Sequence, residues 1–502
     1  NWGAQLGYIG SFLQDNTKSL LFDSPFATAD VPVQIIPPGG GCTVSAPAQN
    51  CAIGAIPAHG QMALYPDNQA HYLHFATAFD VGKRIHVMGL VMPGWLRQND
   101  AFLPYTANTA ITGLAPLPAS GLNGDKQTLA MNWTAIAKLT SRLQLEARYR
   151  HYDYNNNTPV LTLTPIEGDV IGANATATAQ ASPASGSTDT IGRSNPGYNR
   201  KTLEFSGDYF FTKSSAVRAG WTGEWLDRSH RDVGHSFEKS FFGTVDYTPI
   251  RSLLIRVAGR HSERNPDEYQ DDTASDPTTD AEIPCTSTST VFTETQRCAR
   301  RFDEAARIQD RGDVLAQYDV GKFSLAGSFG TIQSDYNRRG GVNSSTALNF
   351  IPGTTSAYYL YGLLKDLSWT YNFDGTFALN PNASLFAEYT REHYHSRMIS
   401  RSRTPTSGTQ TILTCTGCDS ANNDWESITR DIFDTYAAGF DLYFGKRIWF
   451  SPYYSLAAGK NNVFSRALGD PTITTGPNKF VLTGTSAPEN YPQVTTRIHE
   501  AV

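Results

Sequence analysis

Residues 125–157 read DKQTLAMNWTAIAKLTSRLQLEARYRHYDYNNN, and the period of this stretch decides the fold. Leu129, Met131, Trp133, Ala135 and Ala137 fall on one face of a first extended arm, and Leu143, Leu145, Ala147 and Tyr149 on one face of a second. The opposite face of the second arm reads Gln144, Glu146, Arg148, Arg150. A helix would scatter those charges around its circumference, whereas a strand sends successive side chains to opposite faces and keeps the charges together. Lys138–Ser141 alone joins the arms, while the far end opens into a much longer polar segment. Apolar on one side, charged on the other and tight at one end, the stretch has the pattern of a membrane β-hairpin with one face to lipid and the other to water.

The bulk properties agree. A chain of 502 residues is too long for one ordinary globular core, yet no linker divides it, so residues 1–502 read as one unit. No run of about 18 apolar residues is present, so no transmembrane helix is available. The mean hydropathy of −0.36 is what a transmembrane barrel produces, because its lumen residues and loops offset its lipid face. Aromatic residues gather near arm ends, as at Phe75 and Phe79, Tyr149 to Tyr154, and Tyr453 and Tyr454, where amphipathic rings suit the headgroup level. The formal net charge of −6 is mild and argues against nucleic acid as a partner.

The same hairpin pattern recurs along the chain. Alternating arms are expected at Asn1–Phe12, His71–Phe79 with Arg84–Met92, Lys201–Phe211 with Ala216–Trp225, and Phe237–Tyr247 with Leu253–His261, the last pair turning at Pro249. Further arms fall at Asp313–Val320 with Phe323–Ile332, Tyr358–Leu379 with Ser384–Tyr394, and Tyr436–Phe444 with Ile448–Leu456, before a final loop over Gly459–Gln493. Every second connection is short and the others are nearly all long, which is the rule for outer-membrane barrels with short periplasmic turns and long extracellular loops. The expected fold class is all-β, a large antiparallel transmembrane β-barrel with about 16 strands visible. The pattern begins inside a strand at Asn1 and starts another at Thr495–Val502, so the expected barrel is incomplete at both ends and the count a lower bound.

Cys42, Cys51, Cys285, Cys298, Cys415 and Cys418 form three sequence-local pairs in polar loops. An even number of loop cysteines in an exported protein favours disulfides, with Cys42–Cys51 and Cys285–Cys298 the clearest pairs. Cys418 is followed by Asp419 rather than His, and no CxxCH occurs, so this chain is expected to bind no haem covalently.

Several segments then carry a resemblance. Tyr8–Phe26 (YIGSFLQDNTKSLLFDSPF), Met92–Asn108 (MPGWLRQNDAFLPYTAN), Tyr149–Pro159 (YRHYDYNNNTP), Tyr361–Tyr394 and Tyr491–Glu500 (YPQVTTRIHE) resemble, in shared order, the MtrB/PioB family of outer-membrane barrels that accompany decahaem cytochromes. The resemblance implies a location in the bacterial outer membrane and a barrel with strands in the mid-twenties. It implies a periplasm-entered multihaem c-type cytochrome in the lumen, and an extracellular multihaem cytochrome as a further partner. Haem c would be carried by the partner, and the barrel would sheathe and insulate an electron conduit for extracellular electron transfer. Some family members have a CxxC near the mature N-terminus; Cys415–Cys418 lies far downstream, so any role of that motif is not carried over.

The residues expected to line the lumen and meet that partner are Gln144, Glu146, Arg148, Arg150, Glu204, Asp208, Arg218, Glu224, Arg256 and Arg260. The plainer alternative is a hydrated barrel interior in which the same charges simply pair. Asn265–Glu282, with seven carboxylates, could hold Ca²⁺ through oxygen ligands, but it lacks the spacing of a defined calcium loop and reads more simply as a solvated loop. The close histidine pairs His71/His74 and His393/His395 make no convincing metal site, and no Ser/His/Asp group supports an enzyme. Two rivals stand beside the conduit: a diffusive porin or plugged transporter, and a barrel hydrolase.

Overall fold

The computed structural model describes residues 2–25, 58–104, 107, 116–161, 196–231, 233–267, 270–271, 283–284, 299–336, 361–401, 424–445, 448–467 and 494–501. Sixteen long strands build one wall. They are β1 (Trp2–Leu13), β2 (Asn68–Val81), β3 (Ile85–Gln98), β4 (Gly124–Lys138), β5 (Leu143–Asn156), β6 (Tyr198–Phe210), β7 (Ala216–Arg228) and β8 (His235–Ile250). The second half comprises β9 (Leu253–Pro266), β10 (Arg307–Val320), β11 (Phe323–Asp335), β12 (Tyr361–Asn380), β13 (Ala383–Arg401), β14 (Asp424–Phe444), β15 (Tyr453–Ala467) and β16 (Val494–Ala501). Each strand pairs antiparallel with the next in sequence, so all the long ladders are nearest-neighbour. Two of the tight ends turn on a glycine: Gly82 (φ 68°) and Gly321 (φ 59°) occupy the left-handed region that a side chain would strain.

Register converts the period-two sequence into two continuous faces. Leu145 pairs with Ala137 on one side and Gly207 on the other. Following such partners around the sheet places Leu6, Phe75, Trp221, Phe241, Val257, Val314, Phe329 and Phe373 on Leu145's face. Many of these side chains are strongly exposed, among them Leu6 (75%), Phe241 (57%) and Phe373 (56%). A soluble protein would cover such a surface; in a bilayer it faces lipid. Among the described residues only Glu304, Glu426 and Val233 are fully buried large side chains, so stability rests on the strand ladder rather than on a packed interior.

The strands extend further on the long-loop side than alternation alone indicates. β2 and β3 run from Asn68 and to Gln98, β10 begins at Arg307 and β11 ends at Asp335. A membrane crossing needs only about 9–11 residues, so the wall continues past the apolar band, where hydrogen-bonded backbone no longer requires an apolar face. Four other expectations are corrected. The long loop after β1 contains a two-stranded ribbon, Ser19–Asp23 with His59–Ala63. Pro249 sits in an irregularity inside β8, and the turn falls at Arg251 and Ser252. The strand expected at Ile448–Leu456 is broken, since Ile448–Phe450 pairs with β14 and β15 resumes only at Tyr453, after Pro452, which has no N–H to donate. Finally, β15 continues through Ala467, into what reads as loop.

Candidate partner-binding surface on the polar face

The face opposite the apolar one carries every lumen candidate: Gln144, Glu146, Arg148, Arg150, Glu204, Asp208, Arg218, Glu224, Arg256 and Arg260. They do not stand alone. The Glu146 carboxylate accepts from Arg148 at 2.5 Å and from Arg218 at 3.2 Å, joining residues 72 positions apart in the chain. Arg218 also donates to the Ser206 hydroxyl (2.9 Å) and lies 3.7 Å from both Glu204 and Asp208. Glu204 in turn lies 3.9 Å from Arg148 and 3.6 Å from Arg150. Arg200 approaches Glu224 at 3.8 Å, and Arg256 grips Asp246 with two hydrogen bonds of 2.6 and 3.0 Å.

Burial within this network is uneven, and the unevenness matters chemically. The side chains of Glu146, Glu204 and Asp208 are 9, 12 and 16% exposed, whereas Arg148, Arg218 and Arg150 are 33, 34 and 51% exposed. The carboxylates lie against the wall and the longer guanidinium-bearing chains reach over them. A charge-balanced network therefore presents a cationic, donor-rich layer to whatever occupies the space in front of it.

A second group lies toward the long-loop end. One Arg307 nitrogen, Nη2, donates to both oxygens of Glu238 (2.8 and 2.9 Å), and Arg311 pairs with Asp313 at 2.8 Å. The segment Arg301–Ala306 folds onto this face: Arg264 donates to the carbonyls of Ala305 (2.8 Å) and Phe302 (2.5 Å), and Arg228 to that of Asp303 (2.6 Å). The fully buried Glu304 carboxylate is held by Arg231. Arg260 lies over the Phe242 ring at 5.6 Å and donates to Thr222 at 3.2 Å. Arg228, Arg231, Glu238, Arg260, Arg264 and Arg307 line a cavity of about 650 Å³. The Arg307, Gln309, Arg311 alternation was visible in the sequence, but it precedes the arm expected at Asp313–Val320 and reads there as loop.

Other candidates separate. Alternation along β2 puts His71 and His74 on opposite faces, with His71 bonded to the Tyr8 hydroxyl at 2.6 Å. All six cysteines and most of Asn265–Glu282 lie outside the described residues.

Comparison with known proteins matches residues 1–501 to a family model described as an outer membrane beta-barrel porin, MtrB/PioB. A curated relative, "Outer membrane protein MtrB" of Shewanella baltica (strain OS185), is 21% identical over 272 residues, covering 54% of this chain and 32% of the relative. The aligned part therefore spans about a third of that relative's length. Among solved structures, the alcaligin outer-membrane receptor FauA from Bordetella pertussis overlaps 88% of this chain and 69% of its own at 8% identity and a TM-score of 0.34. The FrpB iron transporter of Neisseria meningitidis (F3-3 variant) overlaps 87% and 64% at 10% identity and a TM-score of 0.38.

Proposed function

The chain belongs to the MtrB/PioB family of outer-membrane β-barrels, and from that premise we propose that its polar face sheathes a multihaem c-type cytochrome, making a trans-outer-membrane electron conduit. The observation that carries the reading is the arginine layer over covered carboxylates, in which Arg148, Arg150 and Arg218 stand proud of Glu146, Glu204 and Asp208. A cytochrome surface bearing haem propionates and acidic side chains is complementary to such a layer, and guanidinium forks bind carboxylates in two-point geometry. The relative's name, outer membrane protein MtrB, supports the same reading.

In this proposal the chain performs no catalysis. It has no CxxCH and so holds no haem covalently; the partner's haems supply the electron transfer. This chain's residues orient the partner through the arginine layer, and its strand wall keeps lipid away from the redox path. A further multihaem cytochrome at the extracellular mouth completes the proposed assembly.

The test is isolation from the native membrane in mild detergent, followed by reduced-minus-oxidised spectra. A c-type haem spectrum that co-purifies with the barrel is expected. A colourless preparation that already conducts small solutes would instead make the protein a diffusive porin.

A further inference from the structure

The outward face has a polar shoulder where the apolar band ends, and its charge is not uniform. On β7 to β10 the shoulder is balanced: Lys239 meets Glu263 at 3.0 Å, His261 meets Asp310 at 2.6 Å, and His235 meets Asp227. On β12 to β15 it is not. The registers bring Arg391, His393, His395 and Arg397 of β13 beside Lys365 of β12, Arg430 of β14 and Lys460 of β15. Three of these cations face carboxylates on the same side of the wall: Arg391 meets Asp434 at 3.7 Å, Arg397 meets Glu426, and Lys365 stands in register with Asp335 of β11. Arg430 and Lys460 are exposed, and among the described residues neither forms an ion pair. His393 stacks on Trp369 with ring centroids 4.4 Å apart; its Nδ1 and the His395 Nε2 are covered by neighbouring atoms, which leaves Arg430 and Lys460 as the groups open to a ligand.

Directly beneath, toward the short turns, the same strands present Leu385, Tyr389, Tyr436 and Phe440. An anion seated among the cations would thus sit on top of a lipid-facing apolar surface, at the height where the outer leaflet's headgroups meet its acyl chains. From this placement we infer that the β12–β15 shoulder is a binding site for a phosphorylated glycolipid of the outer leaflet, with its phosphate groups on Arg430 and Lys460 and its acyl chains along Tyr389 and Tyr436. A free phosphate would gain the charge contacts but none of the apolar ones. The site is independent of the cytochrome reading, since it lies on the other face of the wall.

Basic side chains beside an anionic lipid surface each contribute about a fivefold gain in affinity. The experiment uses the purified native protein in detergent, with native mass spectrometry to count retained lipid. The probe is lipid A carrying two phosphates, compared with the same lipid dephosphorylated, and with inorganic phosphate as competitor. Wild type is expected to retain the phosphorylated lipid and not the dephosphorylated one, and millimolar inorganic phosphate is expected not to displace it. The double variant Arg430→Glu/Lys460→Glu should lose retention by roughly 20-fold or more, the neutral pair Arg430→Gln/Lys460→Gln by less. Lys239→Glu, on the balanced part of the shoulder, should leave retention unchanged. Heat-modifiable gel migration confirms that each variant is assembled before it is scored. Equal retention by the assembled double variants, equal retention of dephosphorylated lipid, or displacement by inorganic phosphate would each overturn the assignment.

Discussion

Leu145 and Arg148 are three positions apart on β5 and live in different solvents. Leu145 is 42% exposed on the apolar face between Ala137 and Gly207, whereas Arg148 is held by Glu146 on the polar face. Leu145→Arg is expected to impair assembly, since an arginine on the lipid face costs from about 0–1 kcal/mol at the interface to about 2–4 kcal/mol at the midplane, and Leu145 lies between the short turn and the midplane. Arg148→Leu should leave the barrel assembled, because Arg218 still covers Glu146. Heat-modifiable migration of both variants distinguishes them, and equal behaviour would refute the assignment of faces. A second residue-scale device lies outside the membrane. Lys18 lies 2.7 Å from Asp67 and 2.9 Å from Asp100, tying the loop ribbon to the barrel mouth. Hydrogen bonding to Lys18 holds both carboxyls below their ordinary 3.8, and the two aspartates raise Lys18 above its ordinary 10.5. The depressed carboxyls contribute stability that is present above 3.8 and lost as pH falls through their folded values; the raised lysine contributes stability present below 10.5 and lost as pH rises through its own. Amide protection in Ser19–Asp23, taken relative to the intrinsic exchange rate at each pH, should therefore be highest in the window between and fall at both extremes, and Lys18→Met should abolish the acid-side change.

At the scale of elements, neighbouring strands are pinned by side chains that lie across glycines. Phe242 of β8 crosses Gly220 of β7, where an added Cβ would come within 2.5 Å of the ring and 2.6 Å of the Phe205 carbonyl oxygen. The ring can swing aside, but the carbonyl belongs to the β6 ladder and cannot. Gly220→Ala should therefore destabilise the barrel by about 1–3 kcal/mol through overpacking, read as a lower urea midpoint for unfolding from vesicles. Gly82→Ala tests a different strain at the β2–β3 turn. Nothing lies within 4 Å of its added Cβ, so any loss there reports the positive φ alone.

Across the whole molecule, the proposed partner surface is spread over β5 to β10 rather than focused in one pocket. Affinity distributed over many partly solvated ion contacts changes little when one is reversed, because each exposed pair contributes only about 0–1 kcal/mol. Arg256→Glu, which also sets two carboxylates side by side with Asp246, should weaken cytochrome retention modestly and increase its salt sensitivity. Combined reversal of Arg148, Arg150 and Arg218 should release the cytochrome, measured as haem absorbance per barrel after a salt wash. Full retention by the triple variant would sink the role of the arginine layer while leaving family membership untouched.

Alternation by itself determined which residues share a face, the side bearing the short turns, and the membrane crossing of this chain, because side-chain direction in a strand is a local property of the backbone. It placed Leu145 and Trp221 toward lipid and Glu146 and Arg218 away from it without knowledge of any contact. Only the tertiary structure decided that Arg218 reaches Glu146 from two strands away, that Arg307 and Arg311 extend the polar wall above the bilayer, and that a ribbon fills part of the first loop. Those outcomes depend on register and stagger between strands distant in sequence, which no single strand's pattern contains. The exposure of guanidinium over carboxylate is of the same kind: both residue types are legible as inward charges, but their relative height above the wall comes from side-chain length and from which neighbour each one meets.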